Sequence, residues 1–279
     1  MIVNSKELFK TARKRDYAYP APNYVDQLSA SSYIAVAEKL NLPVILAYAE
    51  AHQKYLSFDE AVEIGLYYAK KAKVPVALHL DHGQTKELIF EAINRGFKSV
   101  MIDASSQRFE ENVRQTREIV AYAHERGAVV EAEIGHVGGG DEYKDSGNND
   151  NVYTSVEEAR RFVELTEVDS LAISIGTAHG AYKGTPVIDF TRLEEVRKAI
   201  ETPLVLHGGS SSGEYNLSRC ATEGISKINI YTDLITAAAK EVETVYPCDY
   251  YTLKKALKNG YEKCLEHYYG VFKTFRYRS

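Results

Sequence analysis

Two hydrophobic periods alternate along this chain. Short runs dense in Val, Ile, Leu, Ala and Tyr are separated by longer stretches in which apolar residues return every three or four positions. The first pattern suits buried strands and the second suits amphipathic helices, because side chains repeat with periods of about 2 and 3.6 residues in the two structures. Eight runs read as strands: YAYPAPN (17–23), PVILAYA (43–49), VALHLD (76–81), SVMID (99–103), VVEAEI (129–134), LAISIG (171–176), LVLHG (204–208) and KINIYT (227–232). The stretches FDEAVEIGLYYAKKA, TKELIFEAINRG, FEENVRQTREIVAYAHERG, SVEEARRFVELT and FTRLEEVRKAI read as helices. Several start near Ser or Asp and two end at Gly, as helix capping prefers. Eight strands alternating with helices predict an α/β fold closed into a parallel (β/α)8 TIM barrel rather than an open sheet. The chain reads as one domain over 1–279, with strands within 17–232 and a helical C-terminal tail over 233–279. Residues 135–155, rich in Gly, Asn and Asp, break the short-loop rule directly after the fifth strand and are a candidate lid.

Composition narrows the class. A length of 279 residues suits one barrel, and 44% hydrophobic with 26% charged residues is the balance of a soluble globular protein. The net charge of −5 argues against a nucleic-acid partner. No run of about 18 apolar residues occurs, which argues against a membrane, and MIVNSKELFKTARKRDYAYP lacks the apolar stretch of a secretory signal. A cytoplasmic location is expected. Cys220, Cys248 and Cys264 lack paired spacing, so they read as packing thiols. The tail interleaves aromatic and basic residues in a helical pattern that suits packing on the barrel or on another subunit.

The chemistry collects at one end of the predicted strands, where barrel active sites are built. The third strand ends in Asp81 and His82, the fourth in Asp103, the fifth carries Glu133, His179 follows the sixth, His207 ends the seventh and the eighth carries Asn229. Three histidines with an open fourth position make a catalytic zinc site, and His82, His179 and His207 are the candidates. His79, two residues before Asp81, lines the barrel or supports the site. His52, His124, His136 and His267 lack that placement and read as solvated or locally bonded. Gly176, Gly180 and the run His207-Gly208-Gly209-Ser210 offer bare backbone that suits a phosphate.

On these residues the chain resembles the class II fructose-bisphosphate and tagatose-bisphosphate aldolases, through VALHLDHG (76–83), SVMIDAS (99–105), VEAEIGHVGG (130–139), AISIGTAHGAYKG (172–184), LVLHGGS (204–210) and KINIYTD (227–233). The resemblance implies a lyase of carbohydrate metabolism that cleaves a ketose phosphate to dihydroxyacetone phosphate and an aldehyde. It implies Zn2+ on His82, His179 and His207, with Asp103 and Glu133 serving an alternative or second metal, and it leaves room for a monovalent cation. Asp81 matches the group that handles the C4 hydroxyl proton. Asn23, Gly180, Lys183, Gly208, Gly209, Ser210, Asn229, Ile230, Tyr231 and Thr232 match the substrate-holding segments. A homodimer or homotetramer is also implied.

Departures limit the reading. The family's GGxED stretch is Gly138-Gly139-Gly140-Asp141-Glu142 here, so either Asp141 or Glu142 would be the mobile acid/base. The family's HGGSG is His207-Gly208-Gly209-Ser210-Ser211, and Tyr231 replaces an Asn or Asp. A serine after the second strand and an arginine in an Asp-x-Arg stretch clamp the distal phosphate in bisphosphate enzymes, whereas Ala49 and Asp249-Tyr250-Tyr251 stand here. An aldehyde without a phosphate is therefore expected, or one carrying another polar group read by Arg276 or Arg278. Three other readings compete. An ordinary fructose- or tagatose-1,6-bisphosphate aldolase would use other residues for the clamp. A zinc hydrolase would need an His-x-His pair, which the first strand lacks. A non-catalytic sugar-phosphate binder should have lost residues that are intact here.

Overall fold

The computed structural model describes residues 1–135, 153–178 and 186–278. Its eight strands are β1 (Tyr19–Pro22), β2 (Val44–Ala49), β3 (Val76–Gly83), β4 (Ser99–Ile102), β5 (Val129–Ile134), β6 (Ser170–Ile173), β7 (Leu204–Leu206) and β8 (Ile225–Ile230). All pair in parallel, in the order β1-β8-β7-β6-β5-β4-β3-β2. The ring closes where β1 meets β2 through the bridge between Asn23 and Ala47, with Tyr24 N donating to Ala47 O at 2.9 Å. The result is the (β/α)8 barrel that the alternating pattern predicts. The helices are α1 (Ser5–Arg15), α2 (Gln27–Leu40), α3 (Phe58–Lys71), α4 (Lys86–Arg95), α5 (Phe109–His124), α6 (Val156–Thr166), α7 (Phe190–Ala199), α8 (Glu214–Glu223), α9 (Thr232–Glu243) and α10 (Tyr250–Val271).

Local chemistry sets the helix ends. Ser57 and Ser155 form reciprocal capping boxes with Glu60 and Glu158 at the starts of α3 and α6, each satisfying amide groups that the first turn leaves unpaired. Gly96 stops α4 in the left-handed region at φ 110°, which costs a residue without Cβ nothing.

Strand parity divides the core in two. Leu46, Leu78, Leu80, Val100, Ile102, Val130, Leu206 and Ile228 point outward into the layer between barrel and helices. Residues of the opposite parity face the barrel axis. At its N-terminal end Tyr19, Ala21, Ile45 and Ala77 pack against Leu8, Phe9 and Ala12, so α1 plugs the lower mouth with apolar side chains. Above that plug the axis turns polar.

The C-terminal segment packs back onto the same lower end. Phe272 O accepts from Ala18 N at 3.0 Å, and Thr274 Oγ1 donates to Ala18 O at 2.7 Å. This corrects the expectation for Arg276 and Arg278. The Arg276 guanidinium donates to the Asp16 carbonyl just before β1, and Arg15 donates to Tyr277 O, so the segment carrying both arginines is fixed at the end of the barrel opposite the C-terminal ends of the strands. At Asp249-Tyr250-Tyr251 the carboxylate caps α10, accepting from Tyr251 N at 2.8 Å and Thr252 N at 3.1 Å, while both tyrosines are exposed. All three cysteines are free. Among the described residues no helix is long and apolar enough to cross a membrane.

Candidate active site

Inward-facing positions of successive strands stack polar groups in two levels. On the lower level Lys227 of β8 is fully buried and its ammonium lies 2.7 and 2.9 Å from the two oxygens of Glu131 on β5. The same ammonium lies 3.2 Å from His79 Nε2, and His79 Nδ1 is 2.8 Å from Ser99 Oγ. Burial first, and the Lys227 charge second, pull the His79 imidazole down to about 3, so it is neutral at neutral pH. Glu131 stays ionised against its burial because Lys227 and His207 face it. His79 therefore supports the site from below.

The upper level carries the predicted chemistry. Asp81 receives one amide N–H from Asn23 and one from Asn229, each at 2.8 Å and one on each carboxylate oxygen. Burial pushes this carboxyl upward, but the charges of His82 and Lys227 outweigh it and hold it well below the usual range. Asp81 is a fixed, ionised carboxylate. The side-chain amide oxygen Oδ1 of Asn229 is buried and has no hydrogen-bond partner among the described residues, which leaves an acceptor beside Asp81.

His82 and His207 approach with ring centroids 4.4 Å apart. His82 Nδ1 lies 2.8 Å from Asp103 Oδ2, and Asp103 in turn accepts from Ser105 Oγ at 2.7 Å. His207 Nε2 lies 2.9 Å from Glu131 Oε1, so Lys227 and Glu131 fix that ring from behind. Three sets of donors each lie within 4.8 Å of one another among the described residues: Asp81, His82 and His207; His82, Asp103 and Glu133; and, lower down, His79, Asp81 and Glu131, where the Lys227 ammonium already faces His79 and Glu131. Burial opposes a charge on His82, yet Asp81, Asp103 and Glu133 raise it to about 9. A field that holds a proton so strongly fits a cation, and imidazole with carboxylate suits Zn2+. His82 sits in the left-handed region at φ 46°, a strained conformation that aims its ring inward.

The turn after β7 is tight for a physical reason. Gly208 has φ 67°, and a Cβ there would stand 2.3 Å from Ala178 O; at Gly209 it would stand 2.7 Å from Asn229 O. Ser210 Oγ accepts from Tyr231 N at 3.2 Å and Asp233 N at 3.3 Å, tying this turn to the N-terminus of α9. A helix N-terminus favours an anion through its dipole and amide groups. Where the family has a glycine, Ser211 adopts φ 61° and binds Asp233 through its amide at 2.8 Å and its hydroxyl at 2.9 Å. The side chain compensates for the backbone strain.

The structure brings together Asn23, Asp81, His82, Asp103, Glu133, His207, Gly208, Gly209, Ser210, Asn229, Ile230, Tyr231 and Thr232 at the C-terminal ends of the strands. Asp141, Glu142, His179, Gly180 and Lys183, with His136, lie outside the described residues. His124 is bonded locally to Asp169 at 2.8 Å and His267 to Glu214 at 3.2 Å, as expected for them. His52 differs from its expectation. It sits at the rim with its ring 4.3 Å from that of Tyr231, and burial lowers its pKa while Asp81 raises it. Sequence reasoning also missed Glu131, Lys227 and Ser99. A signal existed for two of them: Glu131 precedes Glu133, and Lys227 precedes Asn229, by two residues on the same strand face.

An all-parallel barrel whose upper rim gathers imidazoles and carboxylates able to hold a metal ion defines the class of (β/α)8 barrels with a polar site at the strand ends. Within that class the chain belongs to the class II fructose-bisphosphate aldolase family, whose model, "Fructose-bisphosphate aldolase class-II", matches residues 3–277. Among solved structures it is similar to the YdjI aldolase of Escherichia coli K12, at 32% identity and TM-score 0.89 with 98% of each chain covered. It is also similar to a putative fructose-1,6-bisphosphate aldolase of Coccidioides immitis, at 29% identity and TM-score 0.86 over 96% of this chain and 95% of that one. A fructose-bisphosphate aldolase of Campylobacter jejuni shares the fold at 23% identity and TM-score 0.84, over 98% of this chain and 96% of that one.

Proposed function

We propose that the protein is a zinc-dependent class II aldolase that reversibly cleaves a ketose 1-phosphate to dihydroxyacetone phosphate and an aldehyde without a phosphate. The observation that carries this reading is the ionised Asp81, clamped by Asn23 and Asn229 beside the His82–His207 pair.

When bound, Zn2+ would supply Lewis-acid polarisation of the substrate ketone. His82 and His207 would hold it, with Asp103 and Glu133 offering a second position. The family resemblance adds His179 as the third imidazole, Asp141 or Glu142 as the mobile acid/base, and Gly180 and Lys183 near the phosphate. Asp81 accepts the C4 hydroxyl proton in cleavage and returns it in condensation, and its two amide partners aim the carboxylate without neutralising it. Gly208, Gly209 and Ser210, with Thr232 and the backbone of Tyr231 at the start of α9, cradle the donor phosphate and leave the Tyr231 ring free for other contacts. The unpartnered Asn229 oxygen accepts from a substrate hydroxyl.

The absence of a phosphate on the aldehyde is supported by what stands at the distal positions. Ala49 pairs with Asp81 in register at the end of β2 and offers no hydroxyl, and Asp249-Tyr250-Tyr251 has no arginine. A lost charge-assisted contact of this kind is worth about 1.5–3 kcal/mol. Cleavage assays on a panel of ketose mono- and bisphosphates test this, with the highest kcat/KM expected on a monophosphate. Fastest turnover on a bisphosphate would retain the aldolase and refute the uncharged acceptor.

A further inference from the structure

β1 lies between β2 and β8 in the barrel, and the segments leaving those two flanking strands meet above its exit. His52 belongs to the short 3-10 turn Glu50–Lys54 that follows β2, and Tyr231 follows β8. Their rings stack with centroids 4.3 Å apart and planes tilted by 38°. The same strand ends carry Asn23, which follows β1, and Asn229 of β8, the two residues that hold Asp81. The pair thus stands at the rim over the exit of β1, whose Asn23 bonds Asp81.

One further observation points to a ligand, and a second shows that the group which would meet it is held in place. His52 Nδ1 is buried and has no hydrogen-bond partner among the described residues, a state that buried polar atoms seldom keep. The turn carrying it is held to the next strand exit, since Glu50 accepts from Gln84 N at 2.7 Å and Thr85 Oγ1 at 3.3 Å. A fixed imidazole edge beside an aromatic face recognises a hydroxylated carbon chain: the nitrogen bonds a hydroxyl and the rings cover C–H groups.

We propose that His52 and Tyr231 form the acceptor-recognition surface, and that the aldehyde they select is an uncharged polyhydroxylated one, long enough for a hydroxyl beyond the new C–C bond to reach His52 Nδ1. This inference rests on the aldolase reading and specifies the substrate class of the same site. His52 acts on acceptor choice and leaves activation of dihydroxyacetone phosphate to the groups around Asp81.

The test separates the two halves of the reaction in the zinc-loaded protein. Exchange of the dihydroxyacetone phosphate C–H proton with D2O, followed by NMR without any aldehyde, reports the donor half alone. Condensation kcat and KM with glycolaldehyde, with erythrose and with glyceraldehyde 3-phosphate report the acceptor half. For His52→Ala we expect proton exchange within about twofold of the parent, and kcat/KM for erythrose down by about tenfold or more, mainly through KM. Glycolaldehyde, too short to reach the ring, should change little, and His52→Gln, which keeps a hydrogen-bonding group, should recover part of the loss. An equal loss for both aldehydes, unchanged erythrose kinetics, or glyceraldehyde 3-phosphate as the parent's best acceptor overturns the proposal. No exchange in the parent protein would defeat the aldolase reading itself, whereas intact exchange with unaltered acceptor selectivity defeats this inference alone.

Discussion

At the scale of single residues, position and charge state divide the work between Asp81 and His82. Asp81 is buried yet ionised because two amide donors and neighbouring positive charges outweigh desolvation. Asp81→Asn removes the base and keeps the shape. Its kcat for cleavage should fall by roughly 10²–10⁴-fold with bound zinc unchanged, read by steady-state kinetics together with metal analysis. His82 gives a pH signature in the metal-free protein. Its pKa rises from 6.5 to about 9, so its protonation contributes stability that is complete below pH 6.5 and disappears as pH rises through 9. The Tm of metal-free protein should drop across that window, by about 2–4 °C for each kcal/mol lost, and the drop should vanish in His82→Gln. The ring is 17% exposed, so solvent screening reduces the effect below what the shift alone suggests. A flat Tm from pH 6.5 to 9 in the parent would mean that the carboxylates do not act on this imidazole as described.

At the scale of elements, each strand uses one face for packing and the other for chemistry. The alternation explains why motifs such as VALHLDHG and VEAEIGHVGG show apolar residues interleaved with charged ones. The strands and the starts of α3 to α7 were legible because period-two and 3.6-residue patterns, Ser caps and Gly stops are local signals, whereas α1, α2, α8 and α9 were not singled out. Asp81, His82 and His207 were legible because they end strands. Other features needed the third dimension. The contact of His52 with Tyr231 joins residues 179 positions apart across the closure of the barrel, and no local period records it. The docking of Arg276 on Asp16 likewise depends on how α10 returns to α1. The buried Lys227–Glu131 pair belongs to this scale because it spans the barrel from β8 to β5. Lys227→Met leaves Glu131 uncompensated and should destabilise the protein by about 3–5 kcal/mol in chemical denaturation. The double variant Lys227→Met/Glu131→Leu should recover most of that loss while activity stays low, since His207 has lost the carboxylate that orients it. A double variant as unstable as the single one would show that the cost comes from shape and not from an unpaired charge.

At the scale of the whole molecule, the barrel has two ends with different tasks. The lower end is sealed by apolar side chains of α1 and by the returning C-terminal segment, and the upper end gathers side chains from β1, β3, β4, β5, β7 and β8 around one cation-seeking point. Rigid strands at the base allow strained positions, such as His82 and Ser211, to persist at the rim. On the proposed aldolase reading, carbon–carbon cleavage depends on a metal held by those side chains and not on a covalent amine intermediate. Its most direct measurement is the rate of dihydroxyacetone phosphate release from a ketose 1-phosphate by protein stripped with a chelator and then titrated with zinc, with and without prior exposure to substrate and borohydride. Activity should be lost on stripping, return as zinc is added back, and survive borohydride; full activity in the stripped protein, or inactivation by borohydride, would rule out metal-dependent cleavage.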